Sequence, residues 1–287
     1  MEKRQLLAVS VCLVSVFLLG ALVSPYLGLK SATTGEEIGV VVTILPLADF
    51  VEKVGGDRVH VTVMVPPGAS PHTYEPKPSQ MVAVSKAKMY VKVGSGVEFE
   101  LKWMGDIIEQ NKDMLIVDCS EGITKIGNDP HIWNSPINAK KMVENICAGL
   151  VEVDPDHADY TENRNKYLQE LDALDMYIRE RLGNFTNRVF MTYHPAFGYF
   201  AKEYDLTQLA IEHGGKEPTP KVIQDCIDLA RQYNFSYIFV APQFATVHAE
   251  TIAHEIGGQT VFIDPLPRCY IPNMRSVAAS LALELEK

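Results

Sequence analysis

Short β-branched runs alternate with helical segments in two series along the 287-residue chain, and this alternation constrains the fold more than any other feature. A continuous apolar run such as residues 40–45 is typical of a strand buried on both faces of a parallel sheet. The predicted strands are residues 40–45, 58–65, 89–94 and 114–118 in the first series and residues 188–193, 206–211, 237–242 and 260–264 in the second. The sequence therefore predicts an α/β protein of two βα lobes with parallel-type sheets.

A long helical pattern that begins at Asp154 separates the two series. Its apolar residues recur three, four and seven positions apart, Asp154 is a suitable N-cap, and Pro155 fits the first turn. At ~1.5 Å per residue this helix is on the order of 40 Å long, more than one small sheet needs. We therefore expect a single helix, residues 154–183, to join a first lobe of residues 39–153 to a second lobe of residues 184–287, with a cleft between them.

The first 38 residues have a different composition from the rest of the chain. Lys3 and Arg4 precede an apolar run, residues 6–23, that fits a secretory signal peptide and is also just long enough to span a bilayer. Cys12 lies within this run, so we predict no lipid attachment there. The basic flank predicts that the chain is exported to the outer face of the cytoplasmic membrane or to the periplasm. Residues 1–38 are then a signal peptide or an N-terminal membrane anchor plus a linker, with cleavage or retention left open.

Charge and cysteine content exclude two kinds of site. The formal net charge is -10, and without a basic run the chain is a poor ligand for nucleic acid. The cysteines beyond residue 38 form no C-x-x-C pair, which excludes thiolate zinc spacing. A disulfide stays open for an exported protein, but we expect inert buried thiols. These cysteines are Cys119, Cys147, Cys226 and Cys269.

Four polar side chains follow predicted strands, each within two residues of a proline that stiffens its loop. They are His72, His131, His194 and Asp264, two from each lobe. Ligands of open α/β sheets gather at the carboxyl ends of strands, and three imidazoles with one carboxylate are a typical tetrahedral zinc shell. We therefore predict a zinc site in the cleft formed by these four residues.

Two acidic residues near these ligands are candidates for orienting the imidazoles, namely Glu75 and Asp129. Asp129 fits equally well as the cap of a turn. The other histidines of the chain have no neighbouring ligand set, so we expect them to be structural or solvated. They are His60, His157, His213, His248 and His254. We expect Trp133 to serve packing.

Five motifs give the chain a resemblance to the substrate-binding proteins of zinc and manganese ABC transporters, a family that includes adhesin-like lipoproteins. They are "PHTYEP" (71–76), "DPHIW" (129–133), "HPAFGYFAKEY" (194–204), "KEPTP" (216–220) and "FIDPL" (262–266). The resemblance covers nearly all of residues 39–287. It implies two lobes joined by one long helix, with a metal ion held in the cleft.

The resemblance also assigns ligands. The first two ligand histidines of the family fall on His72 and His131, and the C-terminal aspartate falls on Asp264. The third ligand is histidine in zinc-type members and glutamate in manganese-type members, and this chain has His194. Many zinc-type members carry a histidine-rich loop before the second ligand, which is absent from "CSEGITKIGNDP" (119–130).

We therefore expect a monomeric, non-enzymatic solute-binding protein that captures Zn²⁺ and delivers it to an ABC-type membrane permease. A manganese-specific member of the same family, holding Mn²⁺, is the first alternative. A secreted zinc-dependent hydrolase is the second, although four protein ligands would leave no open position for a catalytic water. A surface adhesin is the third, and no feature of the sequence supports it directly.

Overall fold

A computed structural model describes residues 37–286 of the chain. The predicted export segment and Cys12 lie outside these residues. Within residues 37–286, no helix is both long and apolar enough to cross a bilayer.

The first sheet has four parallel strands in the order β2-β1-β3-β4. Its strands are β1 Ile38–Val42, β2 Val59–Val63, β3 Met89–Lys92 and β4 Leu115–Asp118. Its helices are α1 Leu45–Gly55, α2 Pro78–Val84, α3 Glu98–Gln110 and α4 Pro136–Val153. The run predicted as a strand over residues 40–45 ends earlier, because Pro46 is in the first turn of α1 and cannot extend a ladder.

The second sheet repeats this arrangement, with parallel strands in the order β6-β5-β7-β8. Its strands are β5 Val189–Thr192, β6 Thr207–Ala210, β7 Tyr237–Val240 and β8 Gln259–Phe262. The remaining helices are α5 Asp159–Leu182, α6 Gly198–Glu203, α7 Pro220–Gln232, α8 Val247–Glu255 and α9 Tyr270–Leu285. The predicted α/β class, with two lobes built on parallel sheets, is confirmed.

The long helix between the two sheets begins at Asp159, and not at Asp154 as predicted. Asp154 instead follows α4, and its carboxylate accepts bonds from Arg58 Nε (2.9 Å) and Tyr160 Oη (2.8 Å). Because these two bonds occupy its carboxylate, Asp154 does not cap the next helix. The chain turns first, and α5 starts at Asp159. With 24 residues, α5 is roughly 36 Å long.

One apolar core is shared by the two sheets. The buried face of α5 packs against α1, α4 and α9, and the same cluster continues to Phe190 and Phe239 under the second sheet. A separate cluster covers the other face of the second sheet, around Ile211, Ile227 and Ile252. Each fully buried Leu, Ile or Phe contributes about 1.5–3 kcal/mol. The shared core therefore couples the two lobes.

Buried hydrogen bonds also join the lobes close to the cleft. Trp133, which is 1% exposed, donates from its indole nitrogen to the carbonyl of Pro265 (2.6 Å) and its own carbonyl accepts from Tyr270 Oη (2.7 Å). Asn134 Nδ2 donates to the carbonyl of Ala196 (2.9 Å). These bonds hold the loop after β4 against the loops that follow the strands of the second sheet.

The cysteines of the described part of the chain are free thiols. Cys119, Cys147 and Cys226 are buried, and burial raises the pKa of each thiol, so these three are unreactive as expected. Cys269 differs from the prediction because it is exposed.

Candidate metal centre

His72 lies in the proline-rich loop between β2 and α2. Gln80 fastens this loop from α2, since its amide nitrogen donates to the carbonyls of Val63 (2.9 Å) and Met64 (2.6 Å) and its oxygen accepts from Tyr74 Oη (3.0 Å). Of the three candidate histidines, His72 is the most exposed.

His131 and His194 occupy buried positions on opposite sides of the cleft, at 5% and 7% exposure. His131 precedes a 3₁₀ turn, Ile132–Asn134, in the connection that follows β4, and His194 comes two residues after β5. Phe244 stacks on the His194 ring with centroids 4.4 Å apart. These loops bring two imidazoles from the first lobe and one from the second to the same point.

The three Nε2 atoms meet at this point. His194 Nε2 lies 3.3 Å from His72 Nε2 and 3.2 Å from His131 Nε2, and all three ligand atoms fall within 4.8 Å of one another. Nitrogens bound at about 2.0–2.1 Å to one tetrahedral zinc ion are themselves roughly 3.3–3.4 Å apart. The separations from His194 Nε2 to the other two nitrogens are therefore those expected between ligands of one tetrahedral zinc ion.

A carboxylate contacts the other ring nitrogen of each histidine. Glu98 lies 2.8 Å from His72 Nδ1, Asp129 lies 2.7 Å from His131 Nδ1, and Glu212 bonds to His194 Nδ1. A carboxylate only accepts, so each Nδ1 carries the proton and each Nε2 presents its lone pair. Three lone pairs that face one another repel unless a cation lies between them.

Burial is the largest single influence on the pKa values of His194 and Glu212. Burial lowers the pKa of His194, which the carboxylate of Glu212 opposes without reversing. Burial raises the pKa of Glu212, but the bonds it accepts from His194 and from the backbone of Gly215 outweigh burial and leave this pKa below its usual value. His194 is thus held as a neutral imidazole against an ionised carboxylate, the form that binds a metal ion.

Of the two acidic residues singled out from the sequence, only Asp129 contacts a histidine of the site. It also accepts a bond from the His131 backbone N–H (2.9 Å). Glu75 instead pairs with Lys102 (2.7 Å) on the exposed surface. Sequence reasoning missed Glu98, in the first turn of α3, and Glu212, two residues after β6. Both follow strand ends, so the rule that found the histidines applies to them too.

Asp264 does not join the group of ligand atoms. Its Oδ1 accepts from Gln243 Nε2 (2.8 Å) and from the backbone N–H of Leu266 (2.9 Å). Among residues 37–286, the three histidines are the only set of three or more His, Cys, Asp or Glu side chains close enough to share a metal ion.

The other histidines lie apart from this site. His60, His213 and His254 are exposed, His157 packs on the ring of Tyr160, and His248 pairs with Glu217 (2.9 Å).

The three rings open on a cleft of about 720 Å³ that is lined by all three carboxylates, Glu98, Asp129 and Glu212. An acidic lining raises the local concentration of cations. The cleft is therefore a suitable path for a cation between solvent and the imidazoles.

Comparison with known proteins gives the family. Residues 40–283 match the sequence profile of the family described as zinc-uptake complex component A, periplasmic (ZnuA), and the chain therefore belongs to this family. Its members are metal-binding receptors that work with the permease of an ABC transporter, not enzymes, so the hydrolase alternative has no support.

Individual relatives carry names for both metals. The chain is 29% identical over 253 residues to the high-affinity zinc uptake system protein ZnuA of Bacillus subtilis (strain 168), covering 81% of this chain and 79% of that protein. It is 31% identical over 261 residues to the manganese-binding lipoprotein MntA of Halalkalibacterium halodurans, covering 86% of each. A crystal structure of ZnuA superimposes with a TM-score of 0.84 at 38% identity and covers 87% of this chain and 99% of that one.

Proposed function

We propose that the protein captures Zn²⁺ outside the cytoplasm with Nε2 of His72, His131 and His194 and delivers it to an ABC permease. The observation that carries this proposal is the convergence of three imidazole lone pairs, each fixed by a carboxylate on Nδ1. Such an arrangement is costly without a cation and matches zinc geometry with one.

The donor set favours zinc over manganese. Imidazole nitrogen suits zinc, whereas manganese prefers carboxylate, carbonyl and water oxygens. The three carboxylates nearest the site bond to ring nitrogens, and their role is to orient the rings. The B. subtilis relative named for zinc uptake agrees with this preference.

The proposal also includes the export of the chain and its organisation into two lobes. Residues 1–38 direct the chain across the membrane, whether they are cleaved or retained as an anchor, and the lobes of residues 39–153 and 184–287 hold the ion as a monomer. Protease added to intact cells should digest the protein, and protection until the cells are lysed would contradict this location.

The shared apolar core of the two lobes supports a mechanism in which loops, rather than whole lobes, move during release. A shift of the His72 loop alone removes one of the three nitrogens from the ion, and the two imidazoles that remain hold zinc more weakly. The permease would then receive the ion through the acidic cleft.

Zinc and manganese binding should be measured by competition against a chelator, together with native mass spectrometry of protein purified without added metal. We expect one zinc ion per chain and much weaker binding of manganese. Manganese binding as tight as that of zinc, or absence of bound zinc, would overturn the proposal.

A further inference from the structure

Gly198 and Tyr199 begin α6, in the motif that starts with His194, and neither supplies an atom to the group of ligands. Gly198 does not have the left-handed φ that would require a glycine. Alanine is the better residue in a helix, so the backbone conformation does not explain the glycine. The explanation lies in a side chain of the first lobe.

The carboxylate of Asp129 occupies the space beside Gly198. A Cβ atom at residue 198 would overlap Asp129 Oδ2 and lie 3.6 Å from its Cγ. Beyond α6 and Phe197, it would meet no other atom of residues 37–286 within 4 Å. The second carboxylate oxygen, Oδ1, accepts from His131 Nδ1 (2.7 Å) and from the His131 backbone N–H (2.9 Å). The carboxylate therefore lies between a ligand of the first lobe and a glycine of the second.

Tyr199 holds the backbone of the same loop. Its side chain is buried, and its hydroxyl donates to the carbonyl of Asp129 (3.2 Å) and accepts from the backbone N–H of Ile126 (2.9 Å). The backbone N–H of Asp129 also donates to the carbonyl of Ile126 (3.0 Å), so this turn is closed by its own backbone and by Tyr199. The first turn of α6 thus contacts Asp129 at its carboxylate and at its main chain.

We propose that Gly198 and Tyr199 are positioning residues for zinc binding, which act across the cleft by holding Asp129 where it fixes the His131 ring. The inference rests on the proposed function, since His131 is a ligand of that site. A side chain larger than that of glycine at position 198 would push the carboxylate away from His131. The ring would then lose the bond that keeps the proton on Nδ1 and the lone pair on Nε2.

This arrangement distinguishes the two ligands of the first lobe. Contacts from the second lobe support the carboxylate behind His131. The loop of His72, in contrast, is fastened by Gln80 of its own lobe. His131 therefore stays in place when the His72 loop shifts, which agrees with release of the ion through that loop.

The test measures zinc affinity by chelator competition, and the melting temperature of the metal-free protein, on the full chain. Gly198→Ala should bind zinc about 10–100-fold more weakly, the range for residues that orient a ligand. Its melting temperature should stay close to that of wild type, because alanine favours the helix. Gly105→Ala in α3 is the matched control and should bind like wild type, since a Cβ there meets no atom within 4 Å. Unchanged affinity in Gly198→Ala, or equal losses in both variants, would overturn the inference.

A double variant shows whether Gly198 acts through Asp129. Asp129→Ala should weaken zinc binding by a similar factor, and adding Gly198→Ala should cause no further loss, because the space beside residue 198 is then empty. Nitrogen-15 NMR of the metal-free protein gives a second readout. The proton should stay on His131 Nδ1 in wild type and move partly to Nε2 in Gly198→Ala. Losses that multiply in the double variant, or a proton that does not move, would contradict the inference.

Tyr199→Phe keeps the inference testable even if Gly198→Ala fails to fold. The variant removes only the hydroxyl that holds the Asp129 carbonyl, and we expect zinc binding to weaken by about 10-fold. Tyr204→Phe, at the other end of α6, is the control, because its hydroxyl donates to Asp175 (2.9 Å). It should lower the melting temperature and leave zinc affinity unchanged. Equal affinities in the two variants would refute this inference alone, whereas wild type that binds no zinc would refute the proposed function itself.

Discussion

His72 Nε2 and His194 Nε2 lie 3.3 Å apart, although 122 residues separate them along the chain and they belong to different lobes. The contact is between two groups that both present lone pairs, because the other nitrogen of each ring bonds to a carboxylate. The effects of this arrangement on zinc affinity and on the stability of the protein can be measured with and without metal.

Replacing His72 by Ala removes one of the three nitrogens. We expect zinc affinity to fall more than about 100-fold, beyond the range for residues that only orient a ligand. The metal-free melting temperature should change little, since this side chain is partly exposed and lies in a loop outside the core. The exposed His60→Ala is the control. Unchanged affinity combined with a lower metal-free melting temperature would mean that His72 only packs among the prolines.

Replacing Glu212 by Gln tests the carboxylate behind His194. The variant keeps the size of the side chain but removes the charge that fixes the Nδ1 proton, so we expect about 10–100-fold weaker zinc binding. Glu98→Gln should act in the same direction, and less strongly, because Glu98 is half exposed whereas Glu212 is buried. Glu75→Gln, on the surface pair with Lys102, should bind as wild type does. Equal losses in all three variants would point to the net charge of the protein as the cause.

Zinc should raise the melting temperature of wild type, because it binds the folded state. At a free concentration of 100 times Kd the gain is about 2.7 kcal/mol, or roughly 5–10 °C for a domain of this size. Calorimetry with zinc, with manganese and with excess chelator measures the gain directly. The chelator should reverse it, and the His72→Ala variant should lose most of it.

The metal-free protein should lose stability in mild acid. The pKa of His194 in the folded protein lies below its ordinary value of 6.5, so the unfolded chain binds more protons as the pH falls below that value. Its contribution is fully present above 6.5 and is lost as the pH drops toward the folded pKa. Glu212, whose pKa is also lowered, adds a loss in the same direction below its ordinary value of 4.5. Urea unfolding of metal-free wild type and His194→Gln over this range should give a smaller pH dependence for the variant, with the exposed His254→Gln as control. The same dependence in all three proteins would contradict this assignment.

The class of fold and the three histidines follow from the sequence. Hydrophobic periodicity depends only on neighbouring residues, so it locates strands and helices without tertiary information. The carboxyl ends of parallel strands share one edge of a sheet, which is why the sequence predicts that His72, His131 and His194 lie close together.

Tertiary structure alone decided which groups surround those histidines. The chain has 36 acidic residues, and several stand as near the motifs as Glu98 and Glu212 do. Glu75 is the instructive case, because it is three residues from His72 and yet pairs with Lys102, while Glu98 takes the ring nitrogen. Asp264 follows β8 by two residues, at the predicted end of the sheet, but its Oδ1 accepts from Gln243 and Leu266. The sequence pattern places the start of α5 too early, at Asp154, because the bond from Asp154 to Arg58, 96 residues away, cannot be read from local sequence. A hydrogen bond depends on separations of a few tenths of an ångström between side chains that packing brings together, and local sequence patterns carry no information about such distances.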